Sequence, residues 1–225
     1  MERATHHLGH RHRLRERFER TAAGLQDYEI LELLLTYAIP RRDVKPLAKE
    51  LLERFRCLNG VLDASHEELK RFPGLGTPSA VLIKLAKEIG VLYLAQRLER
   101  TDVLASPQSV VRFARMKLAG LPHEAFMAIF LNVQNELIAH EIINEGTVDQ
   151  VAVYPRRIIE RALTHHAAGL VIVHNHPSGH VDPSEEDKNL TRTLRNAASV
   201  LDVRLLDHLI VGSGGYFSFV ERGLL

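Results

Sequence analysis

The residues best suited to chemistry lie in one stretch, LVIVHNHPSGHVDPSEED, from Leu170 to Asp187. An apolar, strand-like run ends in His174 and His176, one residue apart, and a Pro/Gly turn and a Ser-x-x-Asp follow. Residues two apart on a strand share a face. The two imidazoles therefore converge as half of a zinc site, each with its other ring nitrogen free for a hydrogen-bond acceptor. Asp187 comes eleven positions after His176, in the first turn of the next helix. The turn at Pro177, Ser178 and Gly179 reverses the chain and lets that helix bring the carboxylate back to the rings. Two histidines, one aspartate and an open position for water compose a catalytic zinc centre, not a closed structural one. Ser184-x-x-Asp187 also fits a helix-capping pattern, with Ser184 accepting from first-turn amides. Asn175, between the histidines, points to the opposite face and orients the loop.

The elements that must position these residues change in style along the chain. Up to about residue 100 the pattern is helical. DYEILELLLTYAI (Asp27–Ile39) follows an Asp27 cap, and KPLAKELLERF (Lys45–Phe55) and HEELKRF (His66–Phe72) continue in the same manner. A long helix starts at Pro78, a residue acceptable in a first turn. Beyond TDVLASPQ (Thr101–Gln108), five stretches read as strands: Ala125–Val133, Leu137–Ile143, Gly169–His174, Val203–Gly212 and Tyr216–Glu221. Pro155–Ala167 and Ser184–Leu201 read as helices, and Gln134–Asn135–Glu136 as a hairpin turn. The expected architecture is a small all-helical domain over 1–100 followed by an α+β or α/β domain over 101–225.

Composition narrows the function classes. No apolar run approaches the roughly 20 residues of a membrane span, and the N-terminus lacks the apolar core of a signal peptide. A single cysteine, Cys57, excludes an internal disulfide framework and every Cys-based zinc site. It suits a reducing cytosol, and a cytoplasmic location is expected. Zinc is the metal favoured by the His/His/carboxylate set, although affinity order alone leaves other divalent ions open. His6, His7, His10 and His12 are a second histidine group, for which a frayed, hydrated terminus is expected.

Residues 1–100 carry 18 Lys/Arg against 14 Asp/Glu, and residues 101–225 carry 11 against 14. The basic front half has a feature able to use that charge. In LKRFPGLGTPSAVLIKL, Gly74-Leu75-Gly76 is followed by Ala80, the spacing of a helix-hairpin-helix motif. The glycines permit a tight turn whose amides can receive a phosphate beside a helix N-terminus, and Ala80 lets two helices approach. Thirty-two residues earlier, AIPRRDVKPLAKEL resembles a degenerate copy, with Ala48 in the place of Ala80 and Arg41, Arg42 and Lys45 supplying charge. Contact with DNA through Gly74, Gly76, Arg41, Arg42 and Lys45 would read the backbone and be salt-dependent and largely sequence-blind. Such hairpins also serve purely as packing units.

HNHPSGHVDPSEED resembles the H-x-H-P, S-x-x-D signature of the JAMM/MPN metalloproteases, with the spacing from His176 to Ser184 and Asp187 kept. HNHPSG, LLDHLIVG and YFSFVERG resemble the bacterial RadC family (the UPF0758 group) more closely. GHRHRLRERF and YEILELLLTYAIPRRDVKPLAKELLERF resemble that family's helical front domain. The loop departs from the common G-D-P-T-P-S, reading Gly179-His180-Val181-Asp182-Pro183-Ser184, which makes His180 a competing ligand. The resemblance implies an MPN (cytidine-deaminase-like) mixed-sheet domain and a glutamate general base on a neighbouring strand. HEAFMAIFLN is similar to the family's glutamate-led strand and points to Glu124, while Glu136, Glu141 and Glu145 remain open on chemistry alone. It further implies zinc held by His174, His176 and Asp187, which lowers the pKa of water to ~7. Glu124 would shuttle the proton to a leaving amine. Ser184 would help to stabilise the oxyanion, a donor worth ~2.7–4 kcal/mol. The implied reaction is hydrolysis of an amide or isopeptide in an unknown protein or peptide.

Two further likenesses fail. In HNH nucleases the named residues are dispersed along a ββα unit and not consecutive. Amidohydrolase barrels also carry H-x-H, but 49 residues after His176 are too few to complete a barrel of ~250 residues. The competing reading is a DNA-binding, repair-associated accessory protein whose metal site is structural or idle.

Overall fold

Helices alone make up the front of the chain. The structure is a computed structural model that describes residues 3–145 and 153–225, without the side chains of 3–8 and 145. Residues up to Ile89 form one unit and Gly90–Leu225 another. In order come α1 (Arg3–Arg20), a 3₁₀ turn (Ala22–Gly24), α2 (Asp27–Ala38), α3 (Lys45–Phe55), α4 (Leu58–Asp63), α5 (His66–Arg71) and α6 (Thr77–Leu98). Leu31, Leu35, Leu47, Leu51, Leu69 and Ile83 bury one face of each main helix in a common core, together with Ala48 and Ala80. Both alanines are fully buried, as close helix approach demands. The residue between α5 and α6 that needs glycine is Gly74, at φ 84°. A Cβ there would also lie 2.6 Å from Nη2 of Arg42, so the arginine of the first hairpin loop rests on the turn of the second.

Several expectations change here. From Arg3 onward the chain is helical where a frayed terminus is expected, because α1 is tied to the rest of its unit. Arg11 donates to the carbonyls of Ile39, Pro40 and Arg42 around the end of α2, and Leu14 is buried. His10 lies 2.9 Å from Glu32 and His12 3.4 Å from Glu16, so neither is held for a joint metal site. The side chains of His6 and His7 lie outside the described residues. The cap of α2 is Gln26, whose N–H donates to Glu29 at 3.0 Å. Asp27 is instead the first helical residue, where its charge suits the helix dipole. Against an expected boundary at 100/101, the division falls inside α6, because Val91, Ala95 and Leu98 join the core of the second unit.

The second unit contains α7 (Pro107–Leu118), β1 (Ala125–Leu131), β2 (Leu137–Glu145), α8 (Pro155–Thr164), β3 (Gly169–Asn175), α9 (Glu185–Ser199), β4 (Arg204–Gly212) and β5 (Gly215–Ser218). They form a sheet of order β2-β1-β3-β4-β5, antiparallel except for β3 with β4. β1 and β3 are buried along all seven residues, which explains their continuous apolar runs. Alternation sorts their side chains. Met127, Ile129, Val171 and Val173 pack with α7 and the end of α6, whereas Phe126, Phe130, Leu170 and Ile172 pack with α8 and α9. By the same alternation, Glu124 and His174 fall on the α8/α9 side. Because β1 and β3 run antiparallel, the head of β1 lies beside the end of β3, with Phe126 opposite His174. No helix among the described residues is long and apolar enough to cross a membrane.

Candidate metal centre

Strand β3 presents His174 and the residue after its end presents His176. Pairing with β4 continues past the strand, since His176 N–H donates to the Val211 carbonyl at 3.0 Å. This keeps the two rings on one face, with Nε2 to Nε2 at 3.0 Å. The turn that follows is held by a close backbone approach. A Cβ on Gly212 would lie 2.9 Å from the carbonyl oxygen of Gly179, itself at φ 84°. The chain then enters α9, where Ser184 and Asp187 form a capping box. Asp187 Oδ2 accepts from Ser184 N at 2.8 Å and from Ser184 Oγ at 2.7 Å, while Asp187 N donates to Ser184 Oγ at 3.1 Å. The cap thus also sets where the Asp187 carboxylate points. Ser184 takes Oδ2 and turns Oδ1 toward His174 Nε2, 3.3 Å away. Asp187 Oδ2 is 4.0 Å from His176 Nε2.

Glu124 closes the other side, with Oε1 4.0 Å from His174 Nε2. One ligand atom each from Glu124, His174 and His176 lies within 4.8 Å of the others. Of the alternatives, Glu136 receives Asn132 Nδ2 in the hairpin. Glu141 is bound by Arg161 and His165, which together hold its carboxyl down at about 2 despite burial. The side chain of Glu145 lies outside the described residues. Burial instead pushes the Glu124 carboxyl up, His176 opposing and Asp187 adding to the shift.

Neutral imidazoles are needed to bind a metal. Burial lowers His174 to about 4, outweighing the pull of Asp187 in the other direction. His176 Nδ1 lies 2.8 Å from the carbonyl oxygen of His180, which can only accept, so Nδ1 carries a proton and in the neutral, metal-binding ring Nε2 is the bare nitrogen. His180 therefore contributes its backbone, and its ring is exposed. The donor set fits a divalent cation. Tetrahedral bonds of about 2.0–2.1 Å require ligand atoms about 3.3 Å apart, against 3.0 and 3.3 Å from His174 Nε2 to its two neighbours and 4.0 Å between His176 Nε2 and Asp187 Oδ2.

Asn175 is fully buried on the opposite face and orients a different loop from the one after it. Its Oδ1 accepts from Ala125 N at 2.8 Å and its Nδ2 donates to the His123 carbonyl at 3.0 Å, clamping both neighbours of Glu124. Asn175→Ala strips both partners, which is expected to cost about 1–3 kcal/mol in chemical denaturation. Displacement of Glu124 is expected to lower turnover while zinc affinity changes less than about tenfold. Two residues absent from the sequence reading complete the site. His208 of β4 lies 2.9 Å from His174 Nδ1, and Thr191 of α9 lies 2.6 Å from His208 Nδ1. A histidine inside LLDHLIVG carries no periodic signal; only the β3–β4 pairing places it.

The five DNA-contact candidates lie elsewhere, in the helical unit. Gly74, Gly76, Arg41 and Arg42 are exposed, and Lys45 lies 5.6 Å above the Tyr28 ring.

A mixed sheet flanked by helices, with two histidines ending a central strand and an aspartate opening the next helix, defines a JAB-type (MPN) domain. Residues 104–224 match the RadC-like JAB domain and residues 6–81 the UPF0758 N-terminal domain. The chain is similar to a UPF0758 protein of Variovorax paradoxus (strain S110), 44% identical over 211 residues covering 92% of each chain. It is 43% identical to a UPF0758 protein of Methylibium petroleiphilum over 206 residues, 92% of this chain and 93% of the relative. A UPF0758 protein of Nitrosospira multiformis is 41% identical over 203 residues, 90% and 91% of the two chains. The chain belongs to the RadC family, the UPF0758 group.

Proposed function

We propose that the second unit, Gly90–Leu225, is a zinc-dependent hydrolase of amide bonds, acting on a peptide, or on an isopeptide between proteins, in the cytoplasm. The observation that carries this reading is that His174 Nε2 lies 3.0 Å from His176 Nε2 and 3.3 Å from Asp187 Oδ1, with the Glu124 carboxyl 4.0 Å away on the other side. His174, His176 and Asp187 hold the metal. Zinc bound there supplies Lewis acidity and makes water acidic enough to ionise near neutral pH. Glu124 takes a proton from water and returns it to the leaving amine, a role that a half-buried carboxyl with a raised pKa suits. Ser184 first holds Asp187 in place; turning its hydroxyl from Oδ2 to the substrate supplies an oxyanion donor. The test is release of free amine from peptide and isopeptide-linked substrates by the full chain. Cleavage should stop with a chelator and return with zinc. Cleavage that persists after zinc removal would exclude this mechanism.

A second reading is favoured by the α5–α6 turn. Exposed Gly74 and Gly76 precede the 22-residue α6, with Arg41, Arg42 and Lys45 in the same unit. These features support sequence-independent binding of a DNA backbone; on this reading the protein is an accessory to repair and its metal site is structural or idle. Binding to unrelated duplexes that weakens alike with salt supports it.

A further inference from the structure

His176 has its tautomer set by a carbonyl directly, whereas His174 reaches one only through two other side chains. We infer that Thr191 and His208 are positioning residues that fix the ring tautomer of His174, through a one-way chain of hydrogen bonds ending on the backbone of Asp187. The inference rests on the metal-dependent reading of this site.

The chain is read from its far end. Thr191 Oγ1 donates to the Asp187 carbonyl at 2.6 Å, an atom that can only accept. The hydroxyl proton being spent there, the same oxygen must accept from His208 Nδ1, also 2.6 Å away. His208 is fully buried, stacked on Phe219 at 4.5 Å and tilted against Phe126 at 6.0 Å. Its two ring nitrogens meet only Thr191 and His174 among the described hydrogen bonds, so no carboxylate supports a second proton. Its Nε2 is therefore bare and accepts from His174 Nδ1 at 2.9 Å. His174 holds its one proton on Nδ1, and its lone pair on Nε2 points into the site. The same logic applied to His176 leaves two bare nitrogens 3.0 Å apart beside a carboxylate oxygen, a set of like partial charges that a cation reconciles.

Reversing the chain shows what depends on it. If Thr191 donated to His208 Nδ1, every proton would shift one place and His174 would carry N–H on Nε2, aimed at the metal. The Asp187 carbonyl selects against that arrangement. Because Asp187 also supplies a site carboxylate, one residue sets both a ligand and the protonation pattern of its neighbour. Outer partners of metal-binding histidines of this kind are worth about 10–100-fold in affinity.

The test uses the full chain, with ring ¹⁵N resonances of metal-free protein and zinc affinity by chelator competition. Wild type should show His174 and His208 protonated on Nδ1 only. Thr191→Val keeps the shape and loses the selection; both tautomers of His174 should appear and zinc affinity should fall about 10–100-fold. Thr191→Ser should restore both measurements. A wild-type His174 protonated on Nε2 overturns the inference, and so does a Thr191→Val protein with wild-type resonances and affinity. The wild-type spectrum and the Thr191→Ser variant decide the matter if the valine variant does not fold. None of these measurements uses turnover, so a protein with the stated tautomers and no amidase activity contradicts the hydrolase reading alone.

Discussion

Glu124→Gln should retain zinc at wild-type stoichiometry and lose about 10²–10⁴ of its amide-hydrolysing rate, the usual worth of a placed general base. The amide keeps the shape of the carboxylate and cannot take up a proton. Metal should stay, because the atoms closest to His174 Nε2 come from His176 at 3.0 Å and Asp187 at 3.3 Å, with Glu124 farther away at 4.0 Å. Two assays on one preparation check this: zinc content by elemental analysis and the single-turnover rate on a cleaved substrate. A variant that loses metal along with rate would make Glu124 a ligand. A variant that loses neither would return the base to the other carboxylates.

The second large effect concerns stability. The sheet's two faces are packed without help from the site, by the clusters around Phe113, Met127 and Val171 and around Phe130, Ile158 and Leu194. The second unit should therefore remain folded in chelator, unlike small zinc domains whose folding is metal binding. Zinc at 1,000 times its dissociation constant should then add about 4 kcal/mol to unfolding. Asp187→Asn should remove most of that increment. Its effect without metal should be near the roughly 1 kcal/mol typical of a weakened cap, since Oδ2 is the atom held by Ser184. Denaturation with and without zinc measures both quantities. Equal zinc stabilisation of wild type and Asp187→Asn would show that Asp187 does not bind the ion.

Much of the site was legible because it is local. His174, His176, Ser184 and Asp187 fall within fourteen residues, and strand alternation plus a capping pattern suffice to bring them together. Glu124 lies fifty residues from His174; resemblance to a family and its place at the head of an apolar strand pointed to it, and the antiparallel β1–β3 pair supplies the physical reason. His208 and Thr191 were invisible for the same cause, as they become neighbours only once β4 lies beside β3 and α9 packs over the sheet. The strands were readable from apolar runs with turn residues between them. Helices α4 and α7 were not. LNGVLD is a single short piece containing a glycine, and PQSVVRFARMKL starts with the proline and serine of an apparent linker. α7 is a helix because Val110, Val111, Phe113, Ala114 and Leu118 bury one stripe against the sheet. The glycine hairpin was recognisable by spacing, but the seating of Arg42 against Gly74 depends on two loops meeting.

The claim on which the rest depends is that His174, His176 and Asp187 jointly hold one divalent ion. Equilibrium zinc titration of the full chain against a chelator of known affinity addresses it most directly. Wild type should bind one equivalent tightly, and His176→Ala and Asp187→Asn should each weaken that site at least a hundredfold without loss of fold. Wild-type protein that binds no stoichiometric zinc, or variants that bind it unchanged, would contradict the account.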